Sequence, residues 1–153
     1  MTSSRAGFSV IEIVIVLAIM TLLLGMGLNT FITYRKTQAF QKDTETVVEI
    51  LNQARAQTMA SKNATQYGVH FATSTVTLFA GSSYNASSSS NSSFPLTSTD
   101  IILNITLAGG GNDVLFQRLS GETSQNGSVV IDVPALSQTK TVTIYKTGVV
   151  DSN

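Results

Sequence analysis

The stretch RAGFSVIEIVIVLAIMTLLLGMGLNTFITYRK, residues 5–36, decides the fold of this chain. From Ile13 to Tyr34 it contains 22 consecutive uncharged residues, and Arg35 and Lys36 end the run. A bilayer core of about 30 Å is spanned by about 20 helical residues. The run is therefore long enough for one transmembrane helix.

Glu12 is a charged residue at the start of this apolar segment. A charged side chain within a membrane span costs at least about 2.5 kcal/mol, and by default it indicates a function. A cleaved secretory signal would need a shorter apolar region and a small-x-small cleavage site, which the residues after Leu28 do not provide. An ordinary signal anchor explains the length of the run, but it leaves Glu12 unexplained unless the carboxylate snorkels to the headgroups.

The residues before Glu12 complete a motif. Arg5 is basic, Gly7 precedes Phe8, and Glu12 is the fifth residue counted from Phe8. This string resembles the class III signal of type IV pilins and type II secretion pseudopilins. The resemblance implies a leader of residues 1–7, which a prepilin peptidase cuts after Gly7 before it methylates Phe8.

The same resemblance implies where the chain lies and what it contacts. The leader would be cytoplasmic, residues 8–34 would span the inner (cytoplasmic) membrane, and the rest would be exported and later enter an extracytoplasmic filament. The implied partners are the prepilin peptidase, other pilin or pseudopilin subunits, an inner-membrane assembly platform with its ATPase, and the membrane itself. The flanking charges do not set this orientation, because basic residues stand on both sides of the span.

Glu12 has a specific role to play in such an assembly. Cleavage after Gly7 would free an α-amino group on Phe8. If this group pairs with the Glu12 carboxylate of a neighbouring subunit, the pair recovers much of the cost of burying either charge in a helix bundle. It would also set the axial register between subunits, so we expect Glu12 to act in assembly.

The helix is predicted to continue past Tyr34, because residues 35–61 contain neither Gly nor Pro. Apolar or small residues recur there at steps of seven, four, three and four, which indicates one buried face of an amphipathic helix. These residues are Phe40, Val47, Leu51, Ala54 and Thr58. Lys42, Asp43, Glu45 and Glu49 are expected on the solvated side. The pattern predicts one helix from Phe8 to Ser61.

After Asn63 the apolar period changes to two, which indicates strands. Gln66–Phe71 and Thr75–Phe79 predict a hairpin, and the Ser-rich tract 82–93 predicts a flexible loop. Further strands are predicted at Ile101–Leu107, Val114–Leu119, Ser128–Val133, Thr139–Tyr145 and, briefly, Gly148–Val150. The predicted fold is α+β: a long transmembrane-plus-amphipathic N-terminal helix packed on a β-rich, pilin-like head, with residues 35–153 forming the amphipathic half and the head.

The end of the helix carries a second resemblance. Leu51-x-x-Ala54-Arg55-x-x-x-Met59-Ala60 is similar to H-type minor pseudopilins of type II secretion and their FimT-type minor-pilin relatives. Many major pilins have a Pro at the position of Asn29 and a C-terminal Cys pair, and both are missing here. Arg55, beside the apolar stripe, is expected to bond loop carbonyls of the head or to contact a partner.

Composition argues against several other functions. Nine basic and nine acidic residues give no net charge, and Arg118, Lys140 and Lys146 are scattered, which argues against nucleic-acid binding. There is no Cys, and the single His70 has no partner for a metal site or a catalytic triad, so we expect no enzyme activity, no catalytic residue, no metal and no cofactor. Two alternatives remain open: a DNA-uptake minor pilin and a plain membrane-anchored β domain.

Overall fold

The computed structural model describes residues 7–97 and 100–153, so residues 1–6 of the predicted leader lie outside the described part. One helix, α1, runs over Val10–Met59. It begins where the Ser9 carbonyl accepts hydrogen bonds from the Glu12 and Ile13 amides, as expected at a helix N-terminus. The single long helix is confirmed, although it is two residues shorter at each end than Phe8–Ser61.

The end of α1 is set by backbone conformation. Ser61 adopts a left-handed conformation at φ 47°, which stops α-helical hydrogen bonding. A short 3-10 turn, Lys62–Ala64, then leads into the first strand. By its internal contacts the chain divides into two units, Met1–Lys36 and Thr37–Asn153. We call the first the apolar unit and the second the head.

The head contains two antiparallel sheets of four strands each. In the first sheet the order is β3-β2-β1-β5, and in the second it is β4-β6-β7-β8. The strands are β1 (Tyr67–Ala72), β2 (Thr75–Ala80), β3 (Ser92–Pro95), β4 (Ile101–Leu107), β5 (Asp113–Leu115), β6 (Gly127–Val133), β7 (Gln138–Ile144) and β8 (Val150–Ser152). The predicted β1–β2 hairpin is confirmed, and so is β4 with the predicted bounds.

Two strand predictions are wrong in their bounds. The strand predicted at Val114–Leu119 stops at Leu115, because the chain turns at Leu119, where φ is 70°. The strand predicted at Gly148–Val150 begins only at Val150, since Gly148 forms a turn at φ 77°. In addition, β3 takes up the end of the predicted Ser-rich loop by pairing with β2.

The head's half of α1 packs on both sheets through the predicted stripe. All five stripe residues are at most 2% exposed, and they are Phe40, Val47, Leu51, Ala54 and Thr58. The four apolar members share one core with residues of both sheets, such as Val69 of β1 and Val129 of β6. The prediction that Asp43 faces solvent is wrong: its carboxylate is buried and accepts a hydrogen bond from the Thr97 amide. The fold is α+β, with a long helix on a β-rich head.

Candidate functional site

The apolar unit exposes almost its whole surface. Every large apolar side chain described between Phe8 and Tyr34 is between 50% and 81% exposed. The helix is long and apolar enough to cross a membrane. A continuous exposed apolar surface of this size marks contact with lipid or with other proteins. This surface is the first candidate site.

Two polar side chains in the apolar unit differ in how they are satisfied. The Thr21 hydroxyl lies 2.9 Å from the carbonyl oxygens of both Leu17 and Ala18, so it is satisfied within its own helix. The Glu12 carboxylate is exposed and makes no hydrogen bond or ion pair with any residue of the ranges 7–97 and 100–153. Among the described residues of this unit, the exposed Glu12 carboxylate is therefore available to a partner from another molecule.

Glu12 lies on one face of the helix with Val16, which is four residues further along. Phe8 precedes α1, which begins at Val10, and lies beside this face. Together with Ile13 and Leu17 they line a shallow surface groove of about 310 Å³. A neighbouring helix that packs against this face would meet an aromatic ring, a carboxylate and aliphatic side chains in close succession.

The predicted processing site lies just outside the helix. Gly7 and Phe8 precede Val10, where α1 begins, and both are exposed. A Cβ atom placed at Gly7 would meet no described atom within 4 Å. Among the described residues, nothing therefore crowds the Gly7 side of the predicted scissile bond.

Arg55 joins the end of α1 to two loops of the head. Its Nε donates to the Gly121 carbonyl at 3.2 Å, and its Nη2 donates to the Thr147 carbonyl at 3.2 Å. Both loops turn on a glycine with positive φ, Gly121 at 68° and Gly148 at 77°. These are the loop-carbonyl contacts expected of Arg55, and they hold the two loops side by side at the C-terminal end of α1.

The three basic residues that follow the helix and its 3-10 turn, Arg118, Lys140 and Lys146, lie in two different places on the head. Arg118 lies in the loop that ends at Gly121, and Lys146 lies in the neighbouring turn, where its carbonyl accepts from the Thr123 amide. Both side chains are exposed. Lys140 instead lies within β7 opposite Ile131, away from this end. The fold thus brings two of the three scattered basic residues together beside Arg55.

Sequence reasoning missed a partner of His70. Antiparallel pairing of β1 with β5 places His70 opposite Asp113, and the His70 Nδ1 bonds the Asp113 carboxylate. One face of the imidazole ring stacks on the Tyr84 ring, with centroids 3.8 Å apart. The pair is separated by 43 residues in sequence, so only the strand register could have found it. Within the described ranges no group of three potential metal ligands is found.

Comparison of the chain with protein-family models, with curated proteins and with solved structures finds no match. What the protein does is therefore inferred from its own residues. The features that bear on function are the exposed apolar helix, the carboxylate of Glu12 and the loops at the end of α1.

Proposed function

We propose that this chain is a structural subunit, a minor pilin or pseudopilin, of a type IV pilus or a type II secretion pseudopilus. The observation that supports it most is the helix of residues 10–34, which exposes its described apolar side chains and carries Glu12 in its first turn. A membrane accounts for the apolar surface alone. A filament of packed helices accounts for both the apolar surface and the carboxylate.

The proposed assembly follows from the chemistry of the apolar unit. Before assembly, the subunits are anchored in the inner membrane with their heads exported. A prepilin peptidase cuts after Gly7 and methylates Phe8. The new amino group of Phe8 then pairs with Glu12 of a neighbouring subunit. Van der Waals packing between exposed helix faces supplies much of the remaining association free energy. An assembly platform and its ATPase would move the subunits out of the bilayer.

The competing proposal is a plain membrane-anchored β domain that forms no filament. Such an anchor needs the same helix, but it needs neither a cut after Gly7 nor a charge at Glu12. The two proposals therefore differ in an observable product, which is the N-terminus of the mature chain.

We expect co-expression with a prepilin peptidase to give a mature chain that begins at Phe8, measured by intact mass or N-terminal sequencing. Gly7→Val should block the cut. Gly25→Val is the matched control, because a Cβ at Gly25 also meets no described atom within 4 Å but lies inside the helix. A mature N-terminus near residue 35, or equal processing of Gly7→Val and the control, would contradict the proposal.

A further inference from the structure

The head carries an acidic groove along its helix. The groove lies between α1 and the edge strand β8, and it measures about 440 Å³. It is lined by Glu45, Val48, Glu49, Asn52 and Ser152. The two glutamates are exposed, while Val48 is partly buried against the core. The groove thus has an aliphatic floor and two carboxylates at its rim.

A second surface, of opposite charge, lies at the C-terminal end of α1. We call it the basic end, and it consists of Arg118, Leu119, Tyr145, Lys146 and Val149. Leu119 is 80% exposed, and Tyr145 and Val149 are about half exposed. Arg55 holds the two loops that carry these residues side by side. The exposed apolar residues and the two cations therefore belong to two neighbouring loops, one of which also carries the exposed Glu122.

Leu119 has a backbone conformation that is energetically unfavourable for leucine. Its φ of 70° is unfavourable for a residue with a side chain. The loop is nevertheless fixed, because the Gln117 amide donates to the Glu122 carbonyl and the Gly121 amide donates to the Gln117 carbonyl. A strained and firmly held loop that points a leucine into solvent is typical of a contact surface.

Among residues 7–97 and 100–153, the charged side chains of both surfaces take part in no salt bridge with one another or with other charged residues, unlike His70, which pairs with Asp113. Glu45, Glu49, Arg118 and Lys146 are thus available to another molecule. Lys42 lies one turn before Glu45, but it makes no ion pair with it within the described part. Two carboxylates around an aliphatic floor match two cations around an exposed leucine.

We propose that the basic end of one copy docks into the acidic groove of a second copy. Leu119 would cover Val48, and Arg118 and Lys146 would face Glu45 and Glu49. Because the two surfaces are different patches of the same head, the contact is heterologous, and repeated contacts of this kind generate a ring or an open filament rather than an isologous dimer. This goes beyond the proposed function, which assigns assembly to the helices and leaves the heads without a contact.

The contact is small, so it is weak between free heads in dilute solution. Anchoring in one membrane or one filament raises the effective concentration of neighbouring heads into the range where weak contacts form. The test therefore uses the full chain in its membrane. The chain has no Cys, so that two introduced cysteines report a single pair of positions.

In the first experiment, a Leu119→Cys copy is co-expressed with a differently tagged Asn52→Cys copy, and disulfide-linked heterodimers are counted after mild oxidation. Leu103→Cys replaces Leu119→Cys in the control, since Leu103 is also exposed, at 59%, but lies on β4. We expect at least about tenfold more heterodimer from positions 119 and 52 than from 103 and 52. Equal yields, or no heterodimer at 119 and 52, would overturn the proposal.

The second experiment exchanges the charges. Glu45→Lys with Glu49→Lys in the Asn52→Cys copy should lower the cross-link about tenfold, because like charges then meet. Arg118→Glu with Lys146→Glu in the Leu119→Cys copy should restore it. Restoration also shows that both variants fold. A loss that the reversed copy does not restore would mean that the basic end binds a different protein, and would overturn the assignment to a second copy.

These outcomes are separate from those of the proposed function. Cross-linking of 119 to 52 in a chain that is not cut after Gly7 would support the contact between heads while contradicting the pilin proposal. Normal cutting without this cross-link would do the reverse.

Discussion

The carboxylate of Glu12 can be weighed against what its own helix offers. An acidic group in the first turn of a helix gains about 0.3–1 kcal/mol from the helix dipole. Placing a charge within a membrane span costs at least about 2.5 kcal/mol. The dipole therefore does not offset the cost, and an external cation is needed. A neighbour's α-amino group on Phe8 is the cation that the proposed processing would create.

We expect Glu12→Val to insert into the membrane as well as the natural chain or better, since a charge is removed from the span. Its incorporation into filaments should fall, because the neighbour's amino group loses its partner. Thr21→Val is the matched control: the Thr21 hydroxyl is satisfied by Leu17 and Ala18, so its loss should leave incorporation unchanged. Quantitative immunoblotting of sheared filaments measures this. Normal incorporation of Glu12→Val would refute the pairing.

Gly148 is the residue on which the contact of Arg55 with its loops depends most. A Cβ at Gly148 would lie 2.8 Å from the Arg55 Nε and even closer to the Gly121 carbonyl oxygen. Its φ of 77° also disfavours any side chain. Both effects act on the joint between α1 and the two loops of the basic end.

We expect Gly148→Ala to lower the free energy of unfolding of the head by about 3–4 kcal/mol, the upper end of ordinary single substitutions. Gly109→Ala separates the two causes, because Gly109 has a similar φ of 86° but no described atom within 4 Å of its Cβ position. It should cost only about 1–2 kcal/mol. Denaturant unfolding followed by circular dichroism measures both. Equal losses would show that conformational strain alone, and not the contact, matters at Gly148.

At the scale of elements, the apolar period of the sequence predicted which face of the helix is buried. It missed the features that depend on contacts with distant residues or on an unusual backbone angle. The stripe from Phe40 to Thr58 was predictable because each helical turn presents the same face to the core. Asp43 was misplaced, because its carboxylate bonds the Thr97 amide, a partner 54 residues away. The end of β5 was misplaced because Leu119, which suits a strand by composition, turns at positive φ. Neither the hydrogen bond of Asp43 nor the positive φ of Leu119 can be recognised from the local sequence.

The loop after β2 illustrates the same limit. Its Ser-rich composition predicts flexibility, which stays a prediction. The structure adds a stack of Tyr84 on His70 and a hydrogen bond of 2.8 Å from the Asn91 amide group to the Asn85 carbonyl. The stack attaches one point of the loop to β1, and local composition gives no hint of it.

We expect limited proteolysis of the head to begin within residues 82–93, and Tyr84→Ala to accelerate this cleavage about fivefold. A stacked ring pair contributes about 0.5–1.5 kcal/mol beyond its buried area, and opening of the loop becomes easier by that amount. Tyr145→Ala is the control, because Tyr145 is half exposed and lies in another loop. Mass spectrometry of the first fragments gives the site and the rate. First cleavage elsewhere, or an unchanged rate in Tyr84→Ala, would contradict the prediction.

At the scale of the whole molecule, charge is balanced in sum but not in place. From Arg35 onward there are eight basic and eight acidic residues. The fold nevertheless separates Glu45 and Glu49 from Arg118 and Lys146. The sum of the charges follows from the sequence alone. The distant residues of the basic end are brought together by the contacts of Arg55 and by the hydrogen bond from the Thr123 amide to the Lys146 carbonyl. A balanced chain with separated charges favours a specific, oriented contact over bulk attraction.

The same balance decides the question of DNA. Affinity for B-DNA falls with salt at a slope of about −0.9 per phosphate neutralised. The basic end offers Arg118 and Lys146, and the partly exposed Arg55 lies beside it, so we expect about three phosphate contacts and a slope of about −3. We therefore expect a Kd above ~10⁻⁵ M near physiological salt, within or weaker than the non-specific range. Residues 37–153 contain six basic and eight acidic residues, so the net charge of the head, together with Glu122 and the groove, opposes any closer approach to DNA.

Fluorescence anisotropy of a short labelled duplex, titrated with residues 35–153 at several salt concentrations, measures this affinity. The head is first shown to be folded by a cooperative melt. Arg118→Ala with Lys146→Ala should remove the residual binding. Lys140→Ala, which lies on β7 away from the basic end, should leave it nearly unchanged. Sub-micromolar binding that weakens steeply with salt, and is lost in the double variant, would contradict a purely structural role and would favour a role in DNA uptake. The basic end would then serve phosphates rather than a second head, because the same two cations cannot face Glu45 and Glu49 while they bind DNA.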